Sequence, residues 1–68
     1  MSLTQAAEDL LTMEETAAGD EYVKTVREAQ AISEERYLEI EGWAWARLQQ
    51  QRRAIKARRK RLHRAQPA

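Results

Sequence analysis

The sequence predicts an all-α protein, and three observations support this fold class. The 68-residue chain has one Pro, at position 67, and only two Gly, at positions 19 and 42. Most of the other residues are good helix formers such as Ala, Glu, Gln, Arg, Lys and Leu. Apolar residues recur at steps of three and four, which is the spacing of one face of a helix. We therefore expect one small helical domain over residues 1–68, arranged as a helical hairpin.

The first helix is predicted over about residues 2–18. Ser2, with Gln5 three residues later, matches a capping box at the start of a helix. An apolar stripe follows at alternating steps of three and four residues and comprises Leu3, Ala6, Leu10, Met13 and Ala17. Ala7 and Leu11 widen this stripe. Gly19 stands where helices commonly end, and Asp20 is a natural N-cap for the next helix. Gly19 and Asp20 are therefore the predicted turn.

The second helix is predicted to run from Asp20 to Arg64, followed by a short tail over 65–68. Its acidic half covers 20–41 and its basic half covers 42–64. Its stripe reads Tyr22, Val26, Ala29, Ser33, Tyr37, Ile40, Ala44, Leu48, Gln51, Ile55 and Leu62. Gly42 interrupts the helical pattern, because an interior Gly favours a kink or a break. A continuous helix is preferred, and a break at Gly42 that yields a compact three-helix fold is the alternative.

The unequal lengths of these two helices leave much of the longer one without cover. At about 1.5 Å per residue, the short acidic first helix is about 24 Å long and the second about 67 Å. After a tight turn, the first helix would reach only to about Tyr37. Apolar residues beyond that point are expected to form a protein interface, as exposed apolar clusters often do. This predicted interface comprises Ile40, Trp43, Trp45, Leu48 and Ile55.

The two parts of the chain carry opposite charge, although the formal net charge is only +1. Residues 1–41 contain all eleven acidic residues and three bases, a net charge of −8. Residues 42–68 contain nine bases and no acid, a net charge of +9. Such segregation indicates a partner of opposite charge. The acids are either a solvated face or a counter-charge for the basic half. In the second case they lie either in a neighbouring copy stacked head to tail or in the same chain, where they would compete with phosphate.

The predicted binding site is the basic arm that ends the second helix. Its candidate contact residues are Arg52, Arg53, Lys56, Arg58, Arg59, Lys60, Arg61 and Arg64. Arg predominates over Lys, and its planar guanidinium makes bidentate contacts with phosphate. In composition the arm resembles the arginine-rich helices that bind RNA and the basic regions that enter a DNA groove. Nucleic acid is therefore the first predicted partner and an acidic protein surface the second.

No pattern in the sequence indicates an enzyme. Phosphate loops, nucleophile elbows and metal-ligand spacings are missing. The chain has no cysteine, and its single histidine, His63, has no Glu three residues before it. We therefore expect no catalytic residue, cofactor, metal or small-molecule substrate.

Two functional hypotheses remain, and both are non-catalytic. In the first, the chain is an accessory protein that binds nucleic acid through its basic arm. In the second, it is a structural subunit of a larger assembly, such as a viral or phage particle, packed through Trp43, Trp45 and charge-complementary helices as a homo-oligomer or with other chains. The sequence shows neither a signal peptide nor an apolar run long enough for a membrane, which favours the cytoplasm or a virion.

Overall fold

The computed structural model describes residues 2–64, which form two antiparallel α-helices of nearly equal length. Helix α1 spans Leu3–Ile32 and helix α2 spans Glu34–Arg64. Only Ser33 lies between them, and the molecule extends over 53 × 19 × 8 Å. The predicted all-α helical hairpin is confirmed, whereas a short first helix followed by a long second helix is wrong. The predicted tail over 65–68 lies outside the described residues.

Ser33 forms the turn because it can end one helix and begin the next. Its backbone is extended (φ −161°, ψ 123°), and its N–H still donates to the carbonyl oxygen of Ala29 at 3.1 Å. Its hydroxyl oxygen accepts a hydrogen bond from the backbone N–H of Arg36 at 3.3 Å, which is the role of an N-cap. Glu34 and Glu35 then place negative charge at the positive end of the α2 dipole. One residue is thus enough to reverse the chain.

Gly19 and Gly42 both lie inside helices, so the predicted turn at Gly19 and Asp20 is wrong. Neither glycine has a positive φ, and a Cβ added at either would meet nothing within 4 Å. Without a left-handed backbone, a glycine is simply a weak helix residue and does not end the helix. The same fact confirms the preferred continuous helix through Gly42 and excludes the three-helix alternative.

The helices meet along a seam of mostly small or branched apolar side chains. On α1 the buried residues are Leu11, Ala18 and Ala29, and on α2 they are Ala44, Leu48 and Ile55. Leu48 and Ile55, which are seven residues apart on the predicted stripe, are buried in this seam. Small side chains at the other positions let the two backbones approach closely.

Because α1 is 30 residues long, it covers nearly the whole of α2. The expectation that cover ends near Tyr37 is therefore wrong, and Leu48 and Ile55 are only 7% and 5% exposed. Ile40 and Leu62 are half-buried. Trp43 and Trp45 are exposed as predicted, at 60% and 49%.

Candidate nucleic-acid interface

The hairpin divides the bases of α2 into two groups according to whether they reach the acids of α1. Antiparallel packing brings the acidic first half of α1 beside the basic second half of α2. Three of the arginines contact α1 carboxylates and are called the bridged bases: Arg47, Arg58 and Arg59. The remaining six point elsewhere. The sequence-predicted site is thus split between two surroundings.

Arg59 lies at the centre of the most protected ion-pair cluster. Its Nε atom is 3.1 Å from a carboxylate oxygen of Glu8, and its Nη1 atom is 3.1 Å from Glu15. Its Nη2 atom also donates to the hydroxyl of Thr12 at 3.4 Å. The side chains of Glu8 and Arg59 are 24% and 30% exposed, less than those of the other arginine–carboxylate pairs. Hydrogen bonds from Arg59 to Glu15 and Glu8 raise the pKa of its guanidinium above the ordinary value.

His63 extends the same cluster toward the end of the hairpin. Its Nε2 atom lies 2.7 Å from the buried Oε1 atom of Glu8, whereas Arg59 contacts Oε2 of the same carboxylate. The pair is ionic when the imidazole is protonated. His63 thus contacts a carboxylate of α1 and adds a second link between the two helices at this end.

Arg58 and Arg47 make the other two bridges, along the opposite edge of the seam. Arg58 Nη1 lies 2.6 Å from Glu14, and Arg47 Nη2 lies 3.4 Å from Glu21. These side chains are about half exposed, so each pair contributes little to stability, on the order of 0–1 kcal/mol. Their main effect is on charge, because each carboxylate offsets the positive charge of one arginine.

The second group of bases forms what we call the outer basic face. It comprises Arg52, Arg53, Lys56, Lys60, Arg61 and Arg64, and all six are exposed. Within residues 2–64, none of them has a carboxylate within 4.0 Å. Arg53, Lys56, Lys60 and Arg64 follow at steps of three and four residues, so they share one side of α2, away from Leu48, Ile55 and Leu62. This side is a strip of uncompensated positive charge.

The residues predicted to form a protein interface lie in different environments. Leu48 and Ile55 are buried in the seam, and Ile40 is half-buried. The ring of Trp45 meets Tyr22 of α1 edge-on, with 5.6 Å between centroids. The guanidinium carbon of Arg47 lies 5.7 Å from the centroid of the Trp43 ring, within the range of a cation–π contact. Both tryptophans keep about half or more of their surface in solvent.

The individual acids that hold the bridged bases are not evident from residue types alone. Glu8 and Glu15 are seven residues apart, and so are Glu14 and Glu21. Acids at heptad spacing flank a helix seam on its two sides, so this spacing was the available signal. It could be interpreted only once the turn was placed at Ser33.

Two further properties of the described part of the chain bear on the site. Across residues 2–64, no three His, Cys, Asp or Glu residues are grouped so that they could hold a metal ion. Neither α1 nor α2 has a stretch that is long and apolar enough to pass through a membrane. Comparison with protein families, curated proteins and solved structures found no match.

Proposed function

We propose that this chain is a non-catalytic nucleic-acid-binding hairpin that contacts the phosphate backbone through its outer basic face. The observation that carries the proposal is the division of the bases. Three arginines are offset by carboxylates of α1, whereas six exposed bases have no such partner within residues 2–64. Uncompensated bases on one side of a helix are suited to phosphate, because binding releases the counterions of the nucleic acid. The cytoplasm or the interior of a virion would bring such a protein to its partner.

The rigid helical setting adds to this proposal. The four aligned bases of the outer basic face span residues 53–64, about 17 Å of helix. The seam holds α2 against α1 at Leu48 and Ile55, so the bases stay on one side of an ordered scaffold. A flexible basic tail would lose conformational entropy on binding, and a preformed helix avoids much of that cost.

The salt dependence of binding tests the proposal quantitatively. Affinity for a fluorescently labelled 20-base-pair duplex and for a single-stranded RNA should be measured between about 50 and 200 mM salt. Six phosphate contacts give a slope of log affinity against log salt of about −5 for duplex DNA, and roughly a thousand-fold loss over that range. No binding at about 50 mM salt would contradict the proposal.

A pair of matched variants distinguishes binding through the outer basic face from a general effect of net charge. The triple variant Arg53→Gln, Lys60→Gln, Arg64→Gln removes three bases from the face and should make the salt slope shallower by about three. The control Lys24→Gln, Arg27→Gln, Arg36→Gln removes the same charge from bases outside the face and should keep the wild-type slope. If both variants weaken binding equally, the outer basic face is not the contact surface. If poly-glutamate competes as well as the duplex, the partner is an acidic protein surface instead.

A structural role in an assembly is the second candidate, and the exposed tryptophans favour it. Trp43 and Trp45 project from α2 in different directions, one beside Arg47 and the other against Tyr22. Exposed indoles of this size are suited to burial against another protein. The oligomeric state of Trp43→Ala, described below, tests whether Trp43 mediates contact between copies.

A further inference from the structure

The outer side of α1 carries an apolar stripe that the hairpin leaves in solvent. Leu3 is 92% exposed, Leu10 60% and Met13 66%. Ala6 and Ala17 continue this α1 stripe at the same alternating steps of three and four residues. That spacing is typical of a seam between two helices, yet α2 packs on other residues of α1, namely Leu11, Ala18 and Ala29. The α1 stripe is therefore a second seam without a partner in this chain.

The chain exposes more surface than a compact monomer of its mass, because two helices side by side make an elongated body. Its accessible surface is 5688 Å². A compact monomer of 7.9 kDa exposes about 4,400 Å², so the hairpin exposes about 1,300 Å² more than expected. A stable protein–protein interface takes about 800 Å² from each partner. The excess is thus large enough for one stable interface.

The same hairpin has a groove that adjoins the α1 stripe. The groove runs between the helices, and its apolar lining consists of Ala17, Ala18, Ala54 and Ile55. Polar and charged side chains complete it: Glu14, Glu21, Gln51 and Arg58. Ala17 belongs to both the groove and the α1 stripe, so the two features adjoin. In a dimer with twofold symmetry both copies use the same surface. That surface must therefore carry both the projecting side chains and the groove that receives them. A second copy of this chain meets that requirement.

The charges around the groove allow two copies of this acidic helix to approach. Glu14 and Glu21, which line the groove, are already paired with Arg58 at 2.6 Å and Arg47 at 3.4 Å. Like charges facing each other across an interface are destabilising, and these two carboxylates are offset by α2 of their own chain.

From these observations we propose that two copies of the chain form a homodimer through the α1 stripe. Leu10 and Met13 of each copy pack on α1 of the other, beside the groove at Ala17. This dimer does not depend on nucleic-acid binding. The outer basic faces lie on α2, outside this contact, so the dimer presents two of them.

The test compares two exposed leucines that differ in position. Sedimentation velocity of the full chain at about 10–200 µM should give twice the monomer mass of 7.9 kDa. Leu10→Glu should sediment as a monomer, because it places charge in the α1 stripe. Leu38→Glu is the matched control: Leu38 is 73% exposed on α2 and the same substitution there should leave the dimer intact. Trp43→Ala should also remain dimeric.

The thermal midpoint supplies a second measurement in case Leu10→Glu does not fold. For a dimer, the wild-type midpoint rises with protein concentration, and it does not for a monomer. A wild-type chain that stays monomeric with a constant midpoint overturns the proposal. A dimer that persists in Leu10→Glu and dissociates in Trp43→Ala or Leu38→Glu also overturns it, and places the contact on α2.

Discussion

Tyr22 shows how one side chain links the two helices. Its hydroxyl lies 3.5 Å from a carboxylate oxygen of Glu41, and its ring meets that of Trp45. Partial burial raises the pKa of the Tyr22 hydroxyl above its ordinary value, and the nearby Glu41 and Tyr37 raise it further. The neutral form of Tyr22 is therefore the one that the folded hairpin favours.

This shift predicts a loss of stability in alkaline solution. The folded-state pKa of Tyr22 lies above the unfolded value of 10.0, so its contribution is fully present below about pH 10 and is lost as the pH rises through the folded-state pKa. Urea unfolding between about pH 8 and pH 11 should show a steeper decline for the wild type than for Tyr22→Phe. Between about pH 6 and pH 8 the free energies of unfolding of the two proteins should change with pH in parallel. Identical curves above pH 10 would contradict the assigned cause.

Ser33 explains why the turn could not be located from residue types alone. It lies within an apolar stripe that continues on both sides, and this pattern predicts a helix through Ser33. The useful signal was the combination of a serine with Glu34 and Glu35 in the following turn, which is typical of a helix start. Gly19 gave the more familiar signal, but a glycine ends a helix only where the backbone takes a left-handed conformation, and here it does not.

The interior glycines of α1 and α2 offer a direct test of helix continuity. Gly19→Ala and Gly42→Ala should each stabilise the hairpin, by about 1 kcal/mol, because alanine is the better helix former and the added Cβ meets nothing within 4 Å. Thermal or urea unfolding measures the change. Destabilisation by Gly19→Ala would mean that the chain turns at Gly19 after all.

The helices also show why the seam was only half predictable. The stripe proposed for the second helix includes Ala44, Leu48 and Ile55, which are all buried as expected of a core-facing side. On α1 the predicted stripe runs from Leu3 to Ala17 with Leu11 at its edge, and the hairpin packs on the edge that carries Leu11. Periodicity fixes which residues share a side of a helix, but the partner helix decides which side is covered.

Over the whole molecule, charge segregation becomes charge pairing once the chain reverses at Ser33. The acids Glu8, Glu14 and Glu15 lie against Arg58 and Arg59 at distances of 2.6–3.1 Å. The hypothesis of a counter-charge within the chain is consistent with these contacts. If the chain binds nucleic acid as proposed, these three carboxylates compete with phosphate for the two arginines.

Neutralising the three carboxylates should therefore change how the chain binds. The variant Glu8→Gln, Glu14→Gln, Glu15→Gln should bind the duplex more tightly, and its salt slope should steepen by about two, because two arginines become available. The control Glu28→Gln, Glu34→Gln, Glu39→Gln makes the same change in net charge at acids outside these bridges and should keep the wild-type slope. Equal slopes in the two variants would show that no competition occurs. Deleting residues 1–18 is a poorer experiment, since it also removes Leu11 and Ala18 from the seam.

The contact between His63 and Glu8 shows that the two ends of the described chain emerge side by side. A mechanical force applied at those ends would act perpendicular to the helices. It would separate them one contact after another from the open end, instead of shearing them along each other. The polar pairs of Glu8, Arg59 and His63 would carry the tension first, and the contacts around Ile55, Leu48 and Ala44 would follow in turn. Tethering through both ends would thus weaken the hairpin, whereas attachment through one end would leave it unstressed.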